Sequence, residues 1–155
     1  MAETINFDVD AIALAPAGWM TGVTGRGTGR WTVERESSAP SPPNVPKQSG
    51  SGDFHGWGKR GTALVDGYVE VKFMAVAGRE DPAGGIVWRW KDRDNYSVAR
   101  ANALEDDVSL DDTQNGRRIE VDDGHIAGAG AIGIWTKAYR VTLFDDFTFG
   151  AASAR

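Results

Sequence analysis

Hydrophobic and polar residues alternate one by one along much of this chain, the period of a strand with one face buried and one face wet. The clearest stretch is residues 68–76. Val69, Val71, Phe73 and Ala75 share one face there, and Tyr68, Glu70, Lys72 and Met74 share the other. The alternation predicts a core holding Val69, Val71, Phe73, Val98 and Leu143, with Glu70 and Lys72 exposed. Just before it, Asp66-Gly67 is a two-residue hairpin signal joined to a short strand over residues 62–65. Residues 86–90 form the next strand, with Ile86, Trp88 and Trp90 pointing one way and Val87 and Arg89 the other. Residues 92–95 turn the chain, and residues 96–102 return with Tyr96, Val98, Arg100 and Asn102 on one face. Shorter runs over residues 4–8, 30–34, 108–110, 117–121, 131–135 and 141–149 bring the total to about nine or ten strands at the close spacing of a sandwich or jelly roll. The reading is an all-β fold, an antiparallel β-sandwich of jelly-roll type with its first and last strands adjacent.

Composition agrees. Val and Ile together number 20 against five Leu, and 15 residues are aromatic, six of them Trp. β-Branched and aromatic side chains fit pleated surfaces, whereas helical chains favour Leu, Ala, Glu and Lys. The 20 glycines and six prolines supply turns. A length of 155 residues suits one domain, numbered 1–155. Four prolines lie between positions 40 and 46, which makes residues 37–53 a Pro/Ser/Gly-rich loop or sheet edge. Residues 25–29, Gly-Arg-Gly-Thr-Gly, lack the Lys-Ser/Thr ending and following helix of a phosphate loop, so they read as a turn-rich loop.

A net charge of −5 argues against a nucleic-acid partner, and no apolar run reaches the length of a membrane span. The chain has no cysteine and two distant histidines, His55 and His125, so no metal site of Cys or His type is predicted. Acidic pairs such as Asp111-Asp112, Asp122-Asp123 and Asp145-Asp146 lack the spacing of a helix–loop–helix calcium loop and read as solvated turns. Calcium held by loops distant in sequence stays open as the one cofactor. Glu105 and Asp107 have a one-face strand spacing that paired glycosidase carboxylates would use, but they sit in a turn-like stretch.

The hairpin over residues 84–102 concentrates indole, phenol, guanidinium and amide groups, the flat surfaces and hydrogen-bonding groups of a sugar-binding face. The competing reading gives two or three of these aromatics to the core and pairs Arg100 with an acid. The candidate ligand-binding set is Trp88, Arg89, Tyr96, Arg100, Asn102, Glu105 and Trp135, with no catalytic set assigned.

Several blocks carry a resemblance. They include Phe7-Asp8, Pro16-x-Gly18-Trp19, residues 39–45 (Ala-Pro-Ser-Pro-Pro-Asn-Val), residues 66–73, residues 83–90 (Ala-Gly-Gly-Ile-Val-Trp-Arg-Trp), residues 99–105, residues 115–118 and residues 141–147. Together they resemble the 3-keto-disaccharide hydrolase-like family, whose fold is a concanavalin-A-like (laminin-G-like) jelly roll. The resemblance implies a bacterial periplasmic or secreted protein, with its signal peptide absent from this chain, that binds or acts on carbohydrate. It also implies about thirty further residues, two strands, where Arg118 here runs directly into Ile119. Either a segment is omitted at that point or another chain fills the gap by strand addition. The favoured function is a carbohydrate-recognition or accessory domain. The rivals are a glycoside-type hydrolase acting on keto-sugar glycosides, and a self-assembling domain that forms homo-oligomers through its edge strands.

Overall fold

The computed structural model describes residues 2–59, 62–78, 83–102, 107–114, 117–120, 128–137 and 140–152. Every regular element among them is a strand. In chain order these are β1 (Ala2–Ile5), β2 (Trp19–Thr28), β3 (Trp31–Arg35), β4 (Asn44–Gln48), β5 (Ser51–Lys59) and β6 (Gly67–Gly78). They continue as β7 (Ala83–Asp92), β8 (Asn95–Asn102), β9 (Asp107–Gln114), β10 (Arg117–Glu120), β11 (Ala131–Lys137) and β12 (Arg140–Ala151).

The strands form two sheets, and every pairing is antiparallel. One sheet has seven strands in the order β10-β9-β8-β7-β11-β5-β2. The other is built on β12, which carries β6 along one side and, on its other side, β4 and then β1, with β3 beyond β4. Strands distant in sequence are neighbours, and the first pairs with the last, as Ala2 opposite Gly150 shows. This is the expected antiparallel sandwich of jelly-roll type.

Between the sheets lies a core of Phe7, Trp19, Trp31, Ile132, Ile134, Phe144 and Phe147, with Val69, Val71, Phe73 and Trp88 packed against it. Its aromatic rings meet at an angle, Trp19 against Phe147 edge-on at 5.1 Å and Trp31 against Phe144 tilted at 5.6 Å, arrangements that the ring quadrupole favours. The alternation on β6 reads as expected. Val69, Val71 and Phe73 face this core, Glu70 and Lys72 are exposed, and Val98 and Leu143 are buried. The inward residues of β6 are only half-buried, whereas Phe144 and Phe147 on β12 are 1% and 0% exposed. The cause is position: β12 has neighbours on both sides, while β6 pairs with no second strand among the described residues. At the junction the sequence singled out, β10 runs unbroken, with Arg118 opposite Thr113 and Ile119 opposite Asp112. Among the described residues β10 pairs with β9 alone and ends the seven-stranded sheet, so an edge open to strand addition lies at the junction itself as well as at β6.

Four local expectations are corrected. Asp66-Gly67 does not close a hairpin. Leu64 bridges to Gly130 instead, and β6 takes β12 as its partner, because a four-residue hairpin arm is marginal beside a ladder as long as that of β12. Residues 25–29 are not a loop. Through Thr28 they belong to β2, whose register on β5 shifts between Thr24 and Gly27, with Gly25 and Gly27 absorbing the left-handed backbone of that bulge. Within the Pro-rich segment, residues 44–48 form an interior strand between β12 and β3. Pro46 is accommodated because its partner Val33 bonds to the 13–14 segment rather than to β4, and pairing of β4 with β12 stops at Lys47, so no ladder bond needs the missing N–H.

The fourth correction concerns β7. Trp88 and Trp90 do not share a face. Arg89 sits in the left-handed region at φ 52°, and the register against β11 steps from Gly133–Val87 to Ala131–Trp90, three residues of β7 spanning two of β11. That extra residue is a β-bulge, and it reverses the parity of everything after it. Trp88 stays with the inter-sheet core, while Trp90 joins Ala83, Val87, Tyr96, Val98 and Trp135 in a second cluster on the opposite face of the seven-stranded sheet.

That second face carries bulky rings over a floor of glycine. One cross-strand row reads Gly22, Gly56, Trp135, Gly85, Arg100 and Ser109, and the next begins Met20, Gly58, Gly133 and Val87. A Cβ at Gly22 would stand 3.7 Å from the Trp90 indole. Gly85 is more restrictive: a Cβ there would lie 1.9 Å from the Ala99 carbonyl oxygen and 2.8 Å from the Arg100 Cα, both backbone atoms of β8. Gly85→Ala must therefore push β7 and β8 apart. We expect it to cost about 1–3 kcal/mol or more of unfolding free energy, measured by urea denaturation. A wild-type midpoint would contradict this close approach.

Candidate functional site

The candidate residues fall in two places. Tyr96, Asn102 and Trp135 are buried on the second face of the seven-stranded sheet, and Arg100 is half-buried there beside them. Arg100 and Trp135 share one row, separated by Gly85, so the sequence reading that grouped Arg100 with an aromatic on one face holds geometrically. The rings are not a stacking platform, because Tyr96, Trp135 and Trp90 are 0%, 3% and 4% exposed. Tyr96 and Trp90 stack on each other, with centroids 4.6 Å apart and planes at 16°. The Tyr96 hydroxyl lies 2.7 Å from Thr24 Oγ1, and Thr24 Oγ1 donates to the Arg93 carbonyl. Tyr96 belongs to β8 and Thr24 to β2, with β7, β11 and β5 between them. The sheet therefore curls over this face until its two flanks touch, which shuts the rings in. Their role here is to hold the curl.

Trp88 and Arg89 lie elsewhere. They line a cleft of about 270 Å³ together with Leu64, Val65, Asp66, Gly67, Tyr68, Val69 and Ile86. The cleft opens between the start of β6 and the bulge of β7. It combines an indole, aliphatic side chains, a guanidinium and a carboxylate in one concavity. Glu105 lies outside the described residues.

Local backbone chemistry positions this cleft. Arg89 is where β7 bulges, and the segment before β11 presses on it: a Cβ at Gly130 would stand 2.5 Å from the Arg89 carbonyl carbon and 2.6 Å from its Cα. Only a residue without a side chain fits there. Gly130 also accepts the Leu64 N–H at 3.1 Å, tying the 62–66 segment to the same point. Bulge, glycine and segment form one unit that holds both walls. Sequence reasoning missed Asp66 because Asp-Gly read as a turn, and missed Tyr68 because it alternates with wet residues. No local sequence signal marks the cleft, because Gly130 meets Arg89 and Leu64 only once the sheet is assembled.

Among the described residues, no three His, Asp or Glu side chains converge on a point that could hold a metal by themselves. No family model matches the chain, and no curated protein matches it. Among solved structures, the chain is similar to a family 30 carbohydrate-binding module, with a TM-score of 0.43 and 10% identity over 97% of this chain and 99% of that one.

Gly130→Ala should displace the Arg89 backbone and open the cleft. We expect a loss of about 1–3 kcal/mol in stability, with amide shifts concentrated at residues 64–69 and 88–90. Shifts confined to the immediate neighbours of residue 130 would show that the two walls are not tied through it.

Proposed function

We propose that the protein is a carbohydrate-recognition domain, and that the cleft at Trp88 and Arg89 is where a sugar ring binds. The observation that carries this reading is the composition of the cleft: an indole and aliphatic side chains beside a guanidinium and a carboxylate. A sugar ring needs that combination, because it offers an apolar C–H face to an aromatic and a rim of hydroxyls to charged hydrogen-bonding groups. A volume of about 270 Å³ lies just below the ~300 Å³ lower end of small-ligand pockets, which favours one ring over an extended chain.

The blocks that resemble the 3-keto-disaccharide hydrolase-like family support a saccharide over other ligands of that size. They are also the support for a periplasmic or secreted setting in a bacterium. The bulge itself is further support, since residues held in the left-handed region are concentrated at ligand sites.

The test is calorimetric titration of a panel of mono- and disaccharides into wild type and Arg89→Gly. Glycine accepts the left-handed backbone at this position, so the variant should keep the wild-type melting temperature. Losing the guanidinium should weaken binding by about 1–3 kcal/mol, the range of a hydrogen bond to a charged group. A folded Arg89→Gly protein with unchanged affinity would remove this cleft from consideration.

A further inference from the structure

Strand β6 is a long edge. It runs for 12 residues and, among the described residues, pairs with β12 alone. Such an edge offers a row of backbone N–H and C=O groups to any strand that comes beside it, and proteins ordinarily blunt it by shortening, bulging or covering. The other edges here are blunted. β1 and β10 have 4 residues each, β2 carries the bulge between Thr24 and Gly27, and β3 is covered at Val33 by the 13–14 segment. Over residues 67–75, β6 has none of these protections among the described residues. Where its register on β12 shifts between Asp145 and Thr148, the extra residue belongs to β12, so β6 itself runs on without a break.

Both faces beside this edge carry apolar side chains. Val69, Val71 and Phe73 point at the inter-sheet core yet stay half-buried, and Tyr68 and Met74 on the other face are exposed. Phe73 lies over β7, where a Cβ at Gly84 would stand 2.7 Å from its ring. Beyond β7 the seven-stranded sheet continues with β8, β9 and β10, and its curl bends those strands away from β6, as the contact of Tyr96 with Thr24 requires. A strand laid beside β6 therefore has room, and it would complete the cover of Val69, Val71 and Phe73.

We propose that the strand laid there is β6 of a second copy of this chain, paired antiparallel about a two-fold axis through Val71. The charge pattern selects this occupant and this register. Reading Glu70-Val71-Lys72 in the opposite direction exchanges acid and base, so Glu70 of each copy falls opposite Lys72 of the other. Tyr68 falls opposite Met74 on the same face. On the core face Val71 meets its own counterpart and Val69 meets Phe73. Opposite charges and aromatic–thioether contacts stabilise cross-strand pairs, whereas like charges directly opposite destabilise them. Moving the axis to Glu70 or Lys72 sets like charges against each other. Moving it by half a residue pairs core-facing positions with exposed ones, which the pleat forbids. Lys72 already meets Asp146 at 2.7 Å, and its ammonium has three donors, enough for both carboxylates. Among the described residues Glu70 has no ion pair of its own.

The test is sedimentation equilibrium of the full chain without saccharide, which keeps its outcome separate from that of the sugar cleft, although the cleft shares Gly67, Tyr68 and Val69 with this strand. We expect wild type to be a reversible dimer. Glu70→Lys sets cations opposite each other and Lys72→Glu sets carboxylates opposite each other, so each should weaken dimerisation at least about tenfold. An equimolar mixture of the two variants restores opposite charges at both positions and should recover the dimer. Both residues are exposed, so the variants should keep the wild-type circular dichroism. Should Lys72→Glu lose its fold with the Asp146 contact, Glu70→Lys decides alone. A wild type still monomeric at about 1 mM, a dimer that neither substitution weakens, or a mixture of folded variants that stays monomeric would each overturn the proposal.

Discussion

The left-handed backbone at Arg89 is the point from which the rest of this structure follows. A strand with strict alternation would send Trp88 and Trp90 to the same side. The extra residue in β7 sends one indole between the sheets and the other to the curled outer face. Two hydrophobic clusters can then exist on opposite faces of a single seven-stranded sheet, each anchored by a ring from β7. A bulge of this kind costs local strain, and it persists because Gly130 lies directly on the Arg89 backbone and Leu64 bonds to Gly130. The cleft is the space these three positions leave.

The curl of the sheet has its own physical cause. Wide rings need room, and the cross-strand rows provide it by placing Gly22, Gly56, Gly58, Gly85 and Gly133 on the face of Trp90, Tyr96 and Trp135. A flat sheet would hold β8 and β2 four strand spacings apart, roughly 19 Å. The contact between Tyr96 and Thr24 shows how far the actual sheet bends. Aromatic residues that read as a binding face from their types alone thus hold a fold, and the open concavity is displaced to the side of the bulge.

The sequence made the strands legible where alternation is strict and one face is buried, as on β6 with Val69, Val71 and Phe73. It also made legible the adjacency of first and last strands and the shared face of Tyr96, Val98, Arg100 and Asn102 on β8. It failed where backbone conformation breaks the period. Nothing in Trp88-Arg89-Trp90 announces a left-handed arginine, because arginine is not a residue that favours that region. Pro46 misled for a related reason: a proline argues against an interior strand only when its N–H position would face a partner, and that depends on where the β12 ladder ends. Of the nine residues lining the cleft, Trp88 and Arg89 were named from the sequence as ligand-binding candidates. Asp66 and Tyr68 were not, because their place in a cleft is decided by Leu64 pairing with Gly130, a contact across 66 positions that no local pattern encodes.

The most direct test of the account is a two-dimensional nitrogen–proton spectrum of the protein during titration with a saccharide that binds. The six tryptophan indole N–H groups give separate signals. The account predicts that the Trp88 indole and the amides of residues 64–69 and 89 move together and saturate, while the indoles of Trp90 and Trp135 stay in place. Movement of Trp135 with Arg100 and Asn102, and none at Trp88, would contradict it and place the ligand on the curled face of the sheet.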